Sequence, residues 1–357
     1  VAGVPRAAHS APAWRRAQLA LLDTIGCALQ GAGTDVGRMA QRSVAALGSG
    51  EAVVIGSKTH AAPAFAALAN GTAAHAKDLD DYTLVANDHP SAVLVPAVLA
   101  AATGRPATMG DLIDAYLVGL EVIFRLGAAV HMGHHNLGWY TTSTLDSLGA
   151  TAAVARLWQL DPAQCEAALA LTVSMGSGMV SQFGTSAKPL HAGLSAKAGV
   201  VAATLAQNGA TANPAVLDGP VSLAALMVPA GAANFDAALK GLGETWGIDS
   251  FGLGAKVYPS CGYTHRSVDA AIGLHHDLSI TRAEDVAEAA VSLPDFHLAI
   301  LPFTVPDTPE QALFSTAWCV ATALVKGRNS LDDFTASALE DPALRALAGR
   351  ISVTGRA

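Results

Sequence analysis

Up to about Gly241, apolar residues recur at helical spacing almost without interruption, and this periodicity limits the first two thirds of the chain to packed helices. Aromatic residues make up only 5%, so alanine and small aliphatics must fill the interior, and small side chains let helices approach closely. Hydrophobic residues at 51% against charged ones at 14% favour a large buried core and extensive subunit contact over disorder. Beyond Gly241, Gly, Pro and short β-prone runs appear, such as Ala255-Lys256-Val257-Tyr258 and Ala290-Val291-Ser292-Leu293. The β-α-β-α order there suggests a small α+β domain. The expected fold class is mainly α, with a helical domain over residues 1–245 and an α+β domain over 250–357.

Helices are expected near 14–30, 35–47, 61–76 (with a break or bend at Asn70-Gly71), 90–103, 146–158, 163–183 (loosening into Gly176-Ser177-Gly178) and 194–207. Thr108 and Asp111 form a capping start for a helix over 109–130, in which Glu121 and Arg125 stand four apart. Val53-Val54-Ile55 reads as a short extended piece. The second part should hold a helix from His265 to His275, with His265 and Asp269 on one face, a strand near 286–293 and a helix near 309–326.

The net charge of −8, with no Lys/Arg run, argues against nucleic-acid binding, so an anionic substrate would have to be held by local cations. Cys27, Cys165, Cys261 and Cys319 are scattered and form no CxxC pair, which suggests neither a zinc site nor a disulfide framework. The longest uncharged run, Ala167 to Ala187, carries Ser, Thr, Gln and glycines and is a poor bilayer span. No secretory signal opens the chain. The sequence reads as a soluble cytoplasmic protein with no membrane segment, and its first residue, Val1 rather than Met, suggests that the true start is missing.

One polar stretch interrupts the apolar pattern. Asp78, Asp80 and Asp81 fall within four positions, bracketed by His75 and His89, between the apolar runs Ala61–Ala69 and Ala92–Ala100. Burying such groups costs roughly 1–3 kcal/mol for each imperfectly paired one, a cost that a proton-transfer site would justify. The plainer alternative is a helix cap and turn, with Pro90 in a first helical turn. His131, His134 and His135 invite a metal reading, since His131 and His135 are four apart, but no acidic or cysteine ligand lies close by. Their glycine-rich context suggests a polar loop over 131–144 rather than a rigid helix. Lys188 is the one charged side chain between Glu166 and Lys197, either an anion anchor or a snorkelling lysine at a helix end, with Pro189 forcing a break.

Taken together, these stretches resemble the MmgE/PrpD family, whose members include 2-methylcitrate dehydratase, cis-aconitate decarboxylase and iminodisuccinate epimerase. The resemblance runs from Leu21-Leu22-Asp23-Thr24-Ile25-Gly26 to the end of the chain. Its marks are Asn70-Gly71 through Ala74-His75, Asp78-Leu79-Asp80-Asp81, His89-Pro90-Ser91, Gly184-Thr185 with Lys188-Pro189-Leu190-His191 and Gly193, Lys256 with Tyr258-Pro259, Cys261, His265 and Asp269, and Gln311-Ala312-Leu313-Phe314-Ser315. It implies a large all-helical domain, a smaller α+β lid domain, a homodimer, an active site in the cleft between the domains, and neither metal nor organic cofactor. Position by position, Asp78, His89, Lys188 and Tyr258 match catalytic positions, and His191 and His265 match further motif positions.

Two positions depart from the family pattern. Tyr82 stands where a threonine is common, with Thr83 displaced by one. Tyr140 follows Gly138-Trp139 where a histidine is common, and a reference pKa of about 10 against about 6.5 makes tyrosine a weaker base near neutrality. Tyr82 and Tyr140 are therefore read as substrate-binding with His191 and His265, and His134 and His135 are candidates to take over the lost imidazole. The C-terminal return segment of the family is not expected within a chain ending at Ala357. The expected function is a cofactor-independent, dehydratase-type lyase working by proton transfer beside a carboxylate of a small acid. A decarboxylase or epimerase on the same scaffold, or a non-catalytic ligand-binding relative, are the alternatives.

Overall fold

The computed structural model describes residues 1–3 and 9–356, except for the side chain of His131, so a metal pairing of His131 with His135 lies outside the described residues. The chain is mainly α and divides into two units. The first comprises residues 1–76, 80–181 and 189–255; the second comprises 77–79, 182–188 and 256–357. No described helix is long and apolar enough to cross a membrane.

The first unit is built on α1 (Ala11–Ala32), α2 (Asp35–Leu47), a two-residue hairpin of β1 (Ala52–Val53) and β2 (His60–Ala61), α3 (Pro63–His75), α4 (Pro90–Ala101), α5 (Met109–Asn136), α6 (Thr141–Leu157) and α7 (Pro162–Val173). It continues through most of α8 (Ala187–Gln207) and the short α9 (Leu223–Met227), α10 (Phe235–Leu239) and α11 (Gly247–Ser250). The helices α3, α4 and α6 are buried on nearly every face, as expected of helices without a polar side. One core of small aliphatics, with Tyr116 and Phe124 among its few large members, fills the space between them.

Asn70-Gly71 does not bend α3, contrary to the sequence reading. The Asn70 side chain leaves the helix to bond β1 and its neighbour, accepting from Ile55 N at 2.8 Å and donating to Val53 O at 2.9 Å. Gly71 meets Gly193 of α8, where a Cβ would stand 2.9 Å from the Gly193 Cα. The predicted loop over 131–144 is also corrected. The helix α5, started by the Thr108/Asp111 capping box, runs on to Asn136, with His134 and His135 buried past Gly133. Helix α7 stops at Val173, just before Gly176-Ser177-Gly178 where the sequence was read as loosening, and the following segment bridges Met179 to Trp139. Pro189 does not break α8, because it falls in the first turn, where no intrahelical N–H is lost. The Glu121–Arg125 pair forms at 2.6 Å, and Arg125 also ties down the Ala238, Lys240 and Thr245 carbonyls.

The second unit has its own core around Trp318, Phe314 and Phe334. Helix α12 (His265–Leu278) is followed by β3 (Ala289–Pro294), α13 (Asp295–Leu298), α14 (Pro309–Ala312), α15 (Thr316–Lys326), α16 (Ala336–Leu339), α17 (Pro342–Ala348) and β4 (Ile351–Arg356). Strand β4 pairs parallel with β3, Ala289 opposite Ile351. The single helix expected over 309–326 is two, because Ser315 leaves the helical conformation and caps α15 by accepting from Trp318 N at 3.0 Å.

Candidate active site

In the first unit, the site grows from the end of α3. Because the last ten residues of that helix are all buried, its final side chain, His75, is delivered into the interior. His75 Nδ1 lies 2.8 Å from Asp80 Oδ2, and its Nε2 lies 2.7 Å from the Tyr140 hydroxyl. A carboxylate only accepts, so Nδ1 carries the hydrogen and Nε2 accepts from Tyr140. His89, just ahead of α4, places Nδ1 at 2.9 Å from the Asp81 carbonyl and 3.4 Å from Asp80 Oδ2. Its Nδ1 therefore also carries the hydrogen, and in the neutral ring the basic lone pair is on Nε2. The His89 side chain is 15% exposed where those of His75 and Asp80 are sealed, so His89 is the member of this network that a solute can reach.

The electrostatics follow from the neighbours. Burial works against charge on Asp80, but the His75 and His89 imidazoles outweigh it and hold the carboxyl well below its usual range. Asp81 has the opposite fate: burial pushes it well up, and hydrogen bonds from the Ser91 hydroxyl and backbone N–H only partly offset this. Two adjacent acids are thus pushed in opposite directions, Asp80 toward the anion and Asp81 toward the neutral form. Tyr140 is buried, with the His191 ring 5.7 Å from its own. His75, Asp80 and His89 are close enough to hold a cation, but both His75 nitrogens are engaged, Nδ1 with Asp80 and Nε2 with the Tyr140 hydroxyl, which fits a proton network better than a metal's lone-pair requirement.

In the second unit, Asp78 sits in a left-handed backbone conformation at φ 49°, which aspartate tolerates better than most residues and which marks functional sites. Its Oδ1 receives Lys188 Nζ at 2.7 Å and Lys256 Nζ at 2.9 Å, and its carbonyl receives Lys256 again at 2.7 Å. Lys188 is buried, with its ammonium 5.5 Å from the Phe183 ring centre and 5.2 Å from that of Phe314. It is therefore no snorkelling surface lysine. Cys261 lies in the same field; burial and then the Asp78 charge raise its thiol to about 11, so it stays protonated. His265 and Asp269, four apart on α12, both meet Tyr258: its hydroxyl donates to Asp269 Oδ1 at 2.6 Å and its ring packs edge-on to His265 at 5.2 Å. Burial and Asp269 raise the Tyr258 hydroxyl to about 12, so it acts as a hydrogen-bond donor.

The structure thus brings Asp78 together with Lys188, Tyr258 with His265, and His89 and Tyr140 onto one relay with His191 beside it. Tyr82 is used differently: it forms a β-bridge with Gly254 and lays its ring over that glycine. His134 cannot replace an imidazole at position 140, since its nitrogens are engaged by Thr144 Oγ1 at 2.7 Å and the Met227 carbonyl at 2.8 Å. His75, Asp80 and Lys256 were visible in the sequence only as motif letters. The five-residue spacing from His75 to Asp80 across a helix end was the signal that could have paired them.

A family model described as the MmgE/PrpD N-terminal domain matches residues 1–236, and one described as the MmgE/PrpD C-terminal domain matches residues 258–356. The cis-aconitate decarboxylase of Mus musculus is 27% identical over 357 residues, covering 95% of this chain and 71% of its own length. That of Homo sapiens is 27% identical, covering 95% and 72%, and that of Aspergillus terreus is 26% identical, covering 90% and 69%.

Proposed function

The chain belongs to the MmgE/PrpD family, and from that premise we propose that it is a lyase that decarboxylates a small unsaturated polycarboxylic acid of the cis-aconitate kind. The observation that carries this reading is the pair of ammonium groups on one buried aspartate, Lys188 and Lys256 on Asp78. Two cations fixed in a water-poor setting favour a bound carboxylate and stabilise negative charge that develops beside it. On loss of carbon dioxide the C–C bonding pair stays on the substrate carbon, conjugated with a remaining carboxylate, and that carbon then takes a proton. His89 is suited to supply it: Asp80 favours its charged ring, and Nε2–H is the proton not committed to the Asp81 carbonyl. Tyr258 adds a hydroxyl donor, and every step uses groups of the chain, without a cofactor.

The test is incubation with cis-aconitate and related acids in D2O, followed by NMR and carbon dioxide release. One deuterium in the product per carbon dioxide released is the expected result. Loss of water without carbon dioxide would make it a dehydratase, deuterium exchange alone an epimerase, and ligands that raise Tm without any turnover a binding protein. Lys188→Ala should lower kcat/KM by about 10²–10³-fold while the fold survives, as removal of one fixed charge-stabilising donor does; unchanged kinetics would remove Lys188 from the mechanism.

A further inference from the structure

Directly behind His89 lie two carboxyl groups that the proposed reaction does not use. Asp88 and Asp146 are 1% and 0% exposed, and each side chain lies within electrostatic reach of the other. Thr83 Oγ1 donates to Asp88 Oδ1 at 2.5 Å, whereas no hydrogen bond of normal geometry from the described residues reaches Asp88 Oδ2 or either Asp146 oxygen, the His89 backbone N–H being turned toward Asp146. The ionisable groups acting on the pair include Asp81, itself an acid, and the buried Tyr116 hydroxyl, which feels the Asp88 charge. Two bare carboxylates cannot hydrogen-bond to each other; a carboxyl and a carboxylate can.

The surroundings show what the pair holds in place. Helix α6 grips three consecutive residues of the loop before α4: Thr141 Oγ1 donates to Asn87 O at 2.5 Å, Asp146 meets Asp88, and Thr142 Oγ1 accepts from His89 N at 3.0 Å. We propose that Asp88 and Asp146 share a single proton and that this acid pair positions His89 by fastening its loop to α6. Burial pushes both carboxyls up, most strongly Asp146, which also faces the Asp88 charge. The role given to His89 rests on the proton-transfer reading above, whereas the shared proton does not.

Two measurements test the parts separately. Infrared difference spectra of the whole protein near neutral pH should show a protonated-carboxyl C=O band that shifts in D2O and disappears in both Asp88→Asn and Asp146→Asn. The band of Asp81 should remain in both and serves as the control. Absence of such a band from the native protein, or its survival in both variants, overturns the shared proton. So does a Tm that, after dialysis against a chelator, rises on adding Ca2+ in the native protein and not in Asp146→Asn, since an ion would then lie between the oxygens. For positioning, Asp146→Ala should lower kcat at least about tenfold with KM little changed, since ångström-scale misplacement costs up to about a hundredfold. Asp146→Asn, whose amide can donate where the shared proton did, should recover most of it. Equal loss in the two variants, or a rise in KM alone, overturns the positioning role. A protein inactive on every acid tried but retaining the infrared band would instead reject the proposed function and leave the shared proton standing.

Discussion

At the scale of the residue, position 140 shows how one hydroxyl can govern an imidazole it merely touches. By donating to His75 Nε2, Tyr140 forces the His75 hydrogen onto Nδ1, facing Asp80, and Asp80 in turn faces His89. Tyr140→Phe would leave a fully buried ring nitrogen without that donor, a loss of about 1–3 kcal/mol of stability, read by chemical denaturation. Turnover should fall more than substrate binding, because the relay and not a substrate contact is cut; an equal fall in both would return Tyr140 to a binding role. Read as letters, Tyr140 looked like the loss of a needed histidine. The missing information was spatial, since His75 is 65 residues away and nothing local joins the two. Asp78 and Lys188 were legible because a charge in an apolar stretch needs a partner, and the second cation, Lys256, alone between Asp249 and Arg266, carried the same signal without its being read.

At the scale of the element, α3 is the lever that sets the relay. It was readable as a helix from its apolar run, and its end at His75 lay within one residue of expectation. Its glycine was misread as a bend because sequence does not distinguish a glycine that turns the chain from one that admits a neighbour. The motif glycine Gly193 has the same reason to exist: a Cβ there would lie 2.2 Å from the Leu68 carbonyl oxygen and 2.3 Å from Thr72 Oγ1 of α3. Overpacking against backbone costs about 1–3 kcal/mol, and the gain in helix propensity returns at most about 1 kcal/mol. Gly193→Ala should therefore destabilise by about 1–2 kcal/mol and, by shifting α3 along with His75, lower turnover too. A variant as stable and as active as the native protein would show that α3 and α8 have room to separate.

At the scale of the whole molecule, the buried ionisable groups set the pH range over which the chain stays folded, and the two sides of that range have different owners. Asp80 is held below its usual value, so its contribution is present above about pH 3.9 and is lost as pH falls through its lower folded value. Asp81, Asp88 and Asp146 are raised, so theirs is complete below about pH 3.9 and declines as pH rises through their folded values. Histidines decide the acid side sooner. Burial lowers His134 and His135, the latter from 6.5 to about 4, and a base whose folded value is depressed gives stability that is present above pH 6.5 and lost on the way down to 4. For His135 alone that is about 3 kcal/mol, order of magnitude, against a total stability of about 5–15 kcal/mol for a typical protein. Chemical denaturation of the native protein should therefore show a steep loss of stability between pH 6.5 and 4. His135→Gln, which cannot titrate, should show a flatter one even if it starts lower at neutral pH. Equal slopes for the two proteins would mean that the α5 histidines already reach water in the folded state, and the acid limb would then fall to Asp80.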